Sequence, residues 1–194
     1  MTFSIIAKEG KEFGIGVASG SVGVGKRVPW VERGVGAVAT QGLTEPSYGP
    51  RILELLRKGL EPVRCLSYTL ADDPLREFRQ VLVLAERGGA AHTGMNCPAF
   101  CGHVVGENFV CGGNLLVGRE VLEAMIEEFK GAFLAEKLLS SLVAGAEAGG
   151  DRRGERSAAI LITGPSPIRL EIENSADPLV ELEQKVKEII HRGR

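Results

Sequence analysis

An α+β fold, with two antiparallel sheets packed between two helical layers, is what this sequence predicts, and two observations lead to it. Helices come in consecutive pairs between blocks of strands, in the order βββ, αα, βββ, αα, ββ, α. A doubly wound parallel sheet would instead alternate one strand with one helix. The strand blocks are also punctuated by short Gly- or Pro-containing turns, the connections that antiparallel neighbours use. With 194 residues, 44% hydrophobic and 25% charged, the chain suffices for one hydrophobic core, so residues 1–194 read as a single domain without repeats or low-complexity linkers.

The opening forty residues read as three strands, Thr2 to Ala7, Glu12 to Ala18 and Val35 to Gln41, forming an antiparallel meander with Gly10 and the run from Gly20 to Gly25 as punctuation. Ser47 to Pro50 starts a helix whose apolar face is Ile52, Leu53, Leu55 and Leu56, ending at Gly59, and a second short helix follows Pro62. Gln80 to Glu86 and Ala90 to Thr93 flank Arg87 and two glycines as a hairpin, and Asn108 to Gly112 is a further strand. Val121, Leu122, Met125, Ile126 and Phe129 fall at helical spacing, and Leu134, Leu138, Leu139 and Leu142 repeat it. Ser157 to Thr163 and Ile168 to Ile172 form the last strand pair. A terminal amphipathic helix over 178–191 then turns Leu179, Leu182, Val186 and Ile189 inward.

Charge and composition narrow the function. Twenty-three basic against twenty-five acidic side chains give a net charge of -2, which offers no electrostatic footprint for nucleic acid or an anionic membrane. The expected partner is a small molecule. Apolar runs are strand-sized and residues 1–12 lack a signal-peptide layout, so a cytoplasmic protein is expected. Cys65, Cys97, Cys101 and Cys111 are then read as reduced thiols.

Three clusters invite chemistry and are better explained otherwise. Gly20 to Lys26 has the spacing of a phosphate-cradling loop, but Arg27 stands where a hydroxyl should hold magnesium and Pro29 disfavours the required helix. His92, Cys97, Cys101 and His103 match no common zinc spacing, so no metal or other cofactor is expected. Asp72 and Asp73, with Glu77 following, fit a helix-to-strand turn. The N-terminus differs. Thr2 follows Met1, and its small side chain should permit methionine removal, leaving a hydroxyl and a free amine on one residue. An α-amine has a pKa of about 7.7 to 8.0, so near neutrality it can take the hydroxyl proton.

Thr2 to Ile5, Gly36 to Gln41, Pro46 to Arg51, Phe78 to Val81, Ala91 to Gly94, Gly113 to Leu116 and Gly149 to Gly154 occur in this order. Together they resemble domain-of-unknown-function family 1028, within the N-terminal-nucleophile (Ntn) hydrolase superfamily, over the whole chain to about Ile172. The resemblance implies a four-layer αββα sandwich and an amide-bond hydrolase with Thr2 as nucleophile. It implies an oxyanion donor at Gly113 and Asn114, either the Asn114 amide or a backbone N–H, a contribution of about 2.7 to 4 kcal/mol per donor in enzymes where one was removed. It also puts Asp151 and Ser157 in the region that supports the N-terminal amine; their plainer roles are a turn carboxylate paired with Arg152 and a strand hydroxyl. Superfamily habit implies a homo-oligomer.

Proteasome-type members tune the amine with a lysine in the third strand. Val35 to Gln41 contains none, which leaves Lys26, Arg27 or Arg33 to substitute if a loop brings one near. A retained Met1 would turn the Thr2 amine into an amide and remove the base. The expectation is therefore an amidohydrolase acting on a small amide or peptide-like bond. The alternative is a non-catalytic small-ligand-binding protein on the same scaffold.

Overall fold

Alternation sets the first two strands. In β1 (Thr2–Glu9), Phe3, Ile5 and Ala7 point to one face and Thr2, Ser4 and Ile6 to the other, and both faces are buried. A tight turn at Gly10, whose φ of 58° suits a residue without Cβ, returns the chain as β2 (Glu12–Ser19). The computed structural model describes residues 2–192, apart from the Arg192 side chain, so the expected removal of Met1 lies outside the described residues.

The chain continues through β3 (Pro29–Glu32), β4 (Gly36–Gly42), α1 (Tyr48–Arg57), α2 (Pro62–Leu70), β5 (Arg79–Ala85), β6 (Gly88–Thr93), β7 (Gly102–Val105) and β8 (Phe109–Asn114). Then come α3 (Glu120–Glu127), α4 (Leu134–Glu147), β9 (Ser157–Ile162), β10 (Ile168–Ile172) and α5 (Pro178–Arg192). Six strands form one antiparallel sheet in the order β10-β9-β2-β1-β8-β7, and four form the other, β3-β4-β5-β6. None of the described helices is long and apolar enough to cross a membrane.

Four layers require three apolar interfaces, and three are present. Phe3, Ile5, Leu116, Met125, Leu138, Leu142 and Ile160 fill the space between the six-stranded sheet and α3, α4 and α5. Ile6, Phe13, Ile15, Ala39, Leu82, Leu84 and Leu161 lie between the sheets. Val38, Ile52, Leu53, Leu66, Val81 and Val83 join the four-stranded sheet to α1 and α2. Each fully buried Phe, Ile or Leu side chain contributes about 1.5 to 3 kcal/mol, and Phe3→Ala would remove about 3 to 5 kcal/mol by opening a cavity beneath α4.

The sequence expectation of an opening meander is corrected. β1 and β2 pair, but the third expected strand crosses to the other sheet, where β4 sits between β3 and β5. The crossing segment contains β3, whose Pro29 is tolerated at the first position of an edge strand because no ladder N–H is needed there. β7 was also not expected; it is a short edge strand of half-exposed and exposed residues, without an alternating signal. The first helix of the second pair ends at Glu127 rather than Phe129. α4 then restarts as Glu136 accepts the Ala132 and Phe133 N–H groups at 2.9 and 3.2 Å.

Candidate active site

Strand register brings Thr2 into a polar row. Thr2 stands directly opposite Asn114 on β8 and Ser19 on β2, and Ser19 stands opposite Ser157 on β9. Because the pleat repeats every two residues, all four side chains share the face that looks toward the second sheet. Along β1 the next residues on that face are Ser4 and Ile6, so the row closes the polar end of an otherwise apolar interface. Thr2 is 3% exposed and its hydroxyl donates to Ser19 Oγ at 3.1 Å. Ser19 Oγ also accepts the Ser21 N–H, at 3.1 Å. Ser157 Oγ donates to Ser21 O at 2.5 Å and accepts the Val24 N–H at 3.1 Å.

Asp151 holds the loop beside Thr2. Its fully buried carboxylate accepts the Gly20 N–H at 2.8 Å, the Arg153 N–H at 3.0 Å and the Arg153 guanidinium at 2.9 and 3.0 Å. The expected partner was Arg152; Arg153 takes that place because the turn folds its side chain back over the carboxylate. Burial pushes the Asp151 carboxyl upward, but the bonds from Arg153 and Gly20 together outweigh it and hold the pKa below the ordinary aspartate value. Gly20 must lack a side chain, since a Cβ would lie 2.8 Å from Asp151 Oδ2 and 2.7 Å from Gly154 O. The same segment straps β8, through an isolated bridge from Asp151 to Leu116 and an Arg152 N–H to Leu115 O bond of 3.2 Å. The Gly149 to Gly154 element thus clamps the chain just beyond both strand neighbours of Thr2.

Beyond Asn114 the backbone is strained. Leu115 adopts φ 52°, a conformation that costs a branched residue about 1 to 3 kcal/mol. Bonds from Leu115 N to Pro98 O and Leu116 N to Phe100 O, at 2.8 and 2.9 Å, hold it there. At Gly113 a Cβ would lie 2.8 Å from Leu116 Cδ1 and 3.1 Å from Phe3 Cβ, so a side chain there requires Leu116 to shift.

The second sheet answers the row with amides that the sequence reading did not single out. The two hydrogens of Gln80 Nε2 serve Gly113 O and Gly102 O, both at 2.9 Å, with Thr93 Oγ1 beside them at 2.8 Å. Two of these are carbonyls that can only accept, which fixes the orientation of the Gln80 amide. Gln80 Oε1 therefore accepts, from Gln41 Nε2 at 2.8 Å and Asn114 Nδ2 at 3.0 Å. Gln41 Nε2 also reaches Gly112 O at 3.2 Å, and Gln41 Oε1 accepts the Ser4 hydroxyl at 2.6 Å. Thr93 Oγ1 in turn lies 2.8 Å from His103 Nδ1. Burial and then the neighbouring His92 lower the His103 pKa, consistent with a neutral ring. Gln41, Gln80 and Asn114 are all fully buried.

The remaining sequence candidates are engaged elsewhere. Amides in the phosphate-like loop serve protein acceptors, Gly20 with Asp151, Gly23 with Glu173 O at 2.7 Å and Val24 with Ser157, and β3 follows in place of a helix. Lys26 pairs with Glu173 and Arg27 donates to Val22 O at 3.2 Å. His92 meets Arg76 O, Cys97 donates to Arg79 O and Cys101 to Cys97 O. Among the described residues, no three His, Cys, Asp or Glu side chains are grouped to hold a metal. Asp73 bonds Arg79 at 2.8 Å and the Tyr48 hydroxyl; its pKa falls to about 2, chiefly through Arg79. A pocket of about 530 Å³, lined by Glu9, Phe133, Ile162, Pro165 and Ile189 among others, lies at the opposite end of β1 from Thr2.

Two antiparallel sheets between helical layers, with β1 central in the larger sheet, make this the four-layer αββα architecture of the Ntn hydrolases. The chain belongs to the family of unknown function DUF1028, whose profile matches residues 2–182. A crystal structure of protein SPO2555 from Silicibacter pomeroyi, labelled with that family, superposes with a TM-score of 0.91 at 31% identity, covering 96% of this chain and 85% of its own. Eukaryotic HslV from Trypanosoma brucei shares the fold, with a TM-score of 0.51 at 10% identity over 82% of this chain and 98% of its own. No curated protein matches this chain.

Proposed function

We propose that this protein is an amide-bond hydrolase in which Thr2, freed of Met1, is the nucleophile. The carrying observation is the cross-strand row of Asn114, Thr2, Ser19 and Ser157 at the polar end of the inter-sheet space. In the reaction the neutral α-amine takes the Thr2 hydroxyl proton as Oγ attacks the substrate carbonyl carbon, and the carbonyl electron pair moves onto oxygen. Asn114 Nδ2 has two hydrogens and gives one to Gln80, leaving the other for that oxyanion. Collapse expels the leaving amine, which takes the proton back from the α-ammonium, and water hydrolyses the threonyl ester. Asp151 and Ser157 act as positioning residues, holding the segment from Gly20 to Val24 against Ser19 and so fixing the hydroxyl row. The substrate class is a small amide or peptide-like compound, and the site of action is the cytoplasm.

The test is hydrolysis across a library of small amides and short peptides by the chain prepared to begin at Thr2. Turnover that disappears in Thr2→Ala, with melting unchanged, supports the reading. Undiminished hydrolysis by that variant ends it. The 3% exposure of Thr2 favours one rival, a ligand-binding protein that retains Met1 and captures such compounds without turnover. Stoichiometric binding with no product would select it.

A further inference from the structure

Asn114 has an acceptor without a donor. Its side chain is fully buried, yet Oδ1 has no hydrogen-bond partner. The amide cannot simply be turned round, because its oxygen would then face Gln80 Oε1, an acceptor whose orientation is fixed by Gly102 O and Gly113 O. A buried carbonyl oxygen left unpaired is a standing destabilisation, and a group that could relieve it lies one strand away. Lys8 N donates to Asn108 O at 2.9 Å, so alternation by two along the ladder places Thr2 and Asn114 at a hydrogen-bonding pair position. In a chain that begins at Met1, Thr2 has a single amide N–H for that ladder. Removal of Met1 turns it into an ammonium with three, directly across from Asn114.

We propose that Asn114 Oδ1 receives an N–H of the freed Thr2 amine, making Asn114 a positioning residue for the general base. The idea rests on the N-terminal threonine reading above. In the neutral amine one N–H serves the strand carbonyl and the other Asn114 Oδ1, which leaves the lone pair for the Thr2 hydroxyl proton. A neutral carbonyl orients the amine without binding the extra proton as tightly as a carboxylate would, so the base remains available near neutral pH. Asn114 thereby joins the nucleophile's amine to the inter-sheet network of Gln80, Gln41 and Thr93.

The experiment needs no substrate. The chain is released from a cleavable fusion so that Thr2 is its first residue, and the α-amine pKa is followed in the unmodified protein from the pH dependence of the Thr2 Cα and Cβ NMR shifts. The Asn114 side-chain amide signals are followed by ¹⁵N NMR in the same protein. The expected result is that the Asn114 signals titrate with the amine, do not do so in the chain that starts at Met1, and that Asn114→Asp raises the amine pKa by about one unit or more. Asn114 signals that ignore the amine titration overturn the proposal, as does an unchanged amine pKa in a folded Asn114→Asp protein. If that variant does not fold, the unsubstituted chain decides alone. Failure of the nucleophile reading is separable, because it shows as absent Thr2-dependent turnover while the amine titration is still measured.

Discussion

Gln80→Glu preserves size and reverses half of the hydrogen-bonding character of one buried side chain. One oxygen of the new carboxyl can still accept from Gln41 and Asn114, while the other faces Gly102 O and Gly113 O, which cannot donate. As a carboxylate it forfeits both amide bonds and sets oxygen against oxygen, at about 0.5 to 1.5 kcal/mol per bond, so a loss of about 2 kcal/mol is expected at pH 8 before the burial of charge is counted. Protonated, it has one O–H and restores one of the two bonds, which brings the loss to about 1 kcal/mol. The folded pKa of the new carboxyl is therefore raised. Its penalty is smallest below the unfolded glutamate value of about 4.3 and grows by about 1.4 kcal/mol per pH unit until the folded pKa is passed. Urea unfolding of both proteins between about pH 4 and pH 8.5 measures this difference. A deficit that is independent of pH, or smaller than about 0.5 kcal/mol throughout, would refute the network as drawn.

Asp151→Asn removes the charge that holds Gly20 and Arg153, with an expected loss of about 2 kcal/mol at neutral pH in chemical denaturation. Because the folded pKa of Asp151 is depressed, that stabilisation is present above the unfolded aspartate value and is lost as pH falls through the folded one. The gap between the two proteins should therefore narrow below about pH 4. Gly20→Ala places a methyl against Asp151 Oδ2 and Gly154 O. It should cost about 1 to 3 kcal/mol and lower any Thr2-dependent rate, read from melting and turnover together. In contrast, Gly23→Ala meets nothing within 4 Å, and its penalty should come only from the left-handed backbone at φ 66°.

Much of this fold was legible because long apolar patterns decide element type. Leu134, Leu138 and Leu142 at helical spacing and the strand opening at Thr2 both appear as expected. What failed was assigning β4 to a sheet, since nothing in Gly36 to Gln41 says which partner it will take. The short edge strands β3 and β7 also lacked a pattern to read. At the site, Thr2, Asn114, Asp151 and Ser157 share one end of the larger sheet, but only the register reveals that Ser19 stands between two of them. Gln41 and Gln80 left a readable trace. Each is the polar terminus of an inward series, Ala37, Ala39, Gln41 and Leu84, Leu82, Gln80, and a buried amide at such a position demands partners. The Arg153 pairing could not be separated from Arg152 without the turn geometry.

The central claim is that Thr2 is the nucleophile, and covalent labelling tests it most directly. The protein produced from its own start is treated with a threonine-directed electrophile, weighed intact and mapped to the modified residue. The account predicts loss of Met1 and a single adduct on Thr2 that is absent from Thr2→Ala. Full retention of Met1, or an adduct that survives in Thr2→Ala, would contradict it.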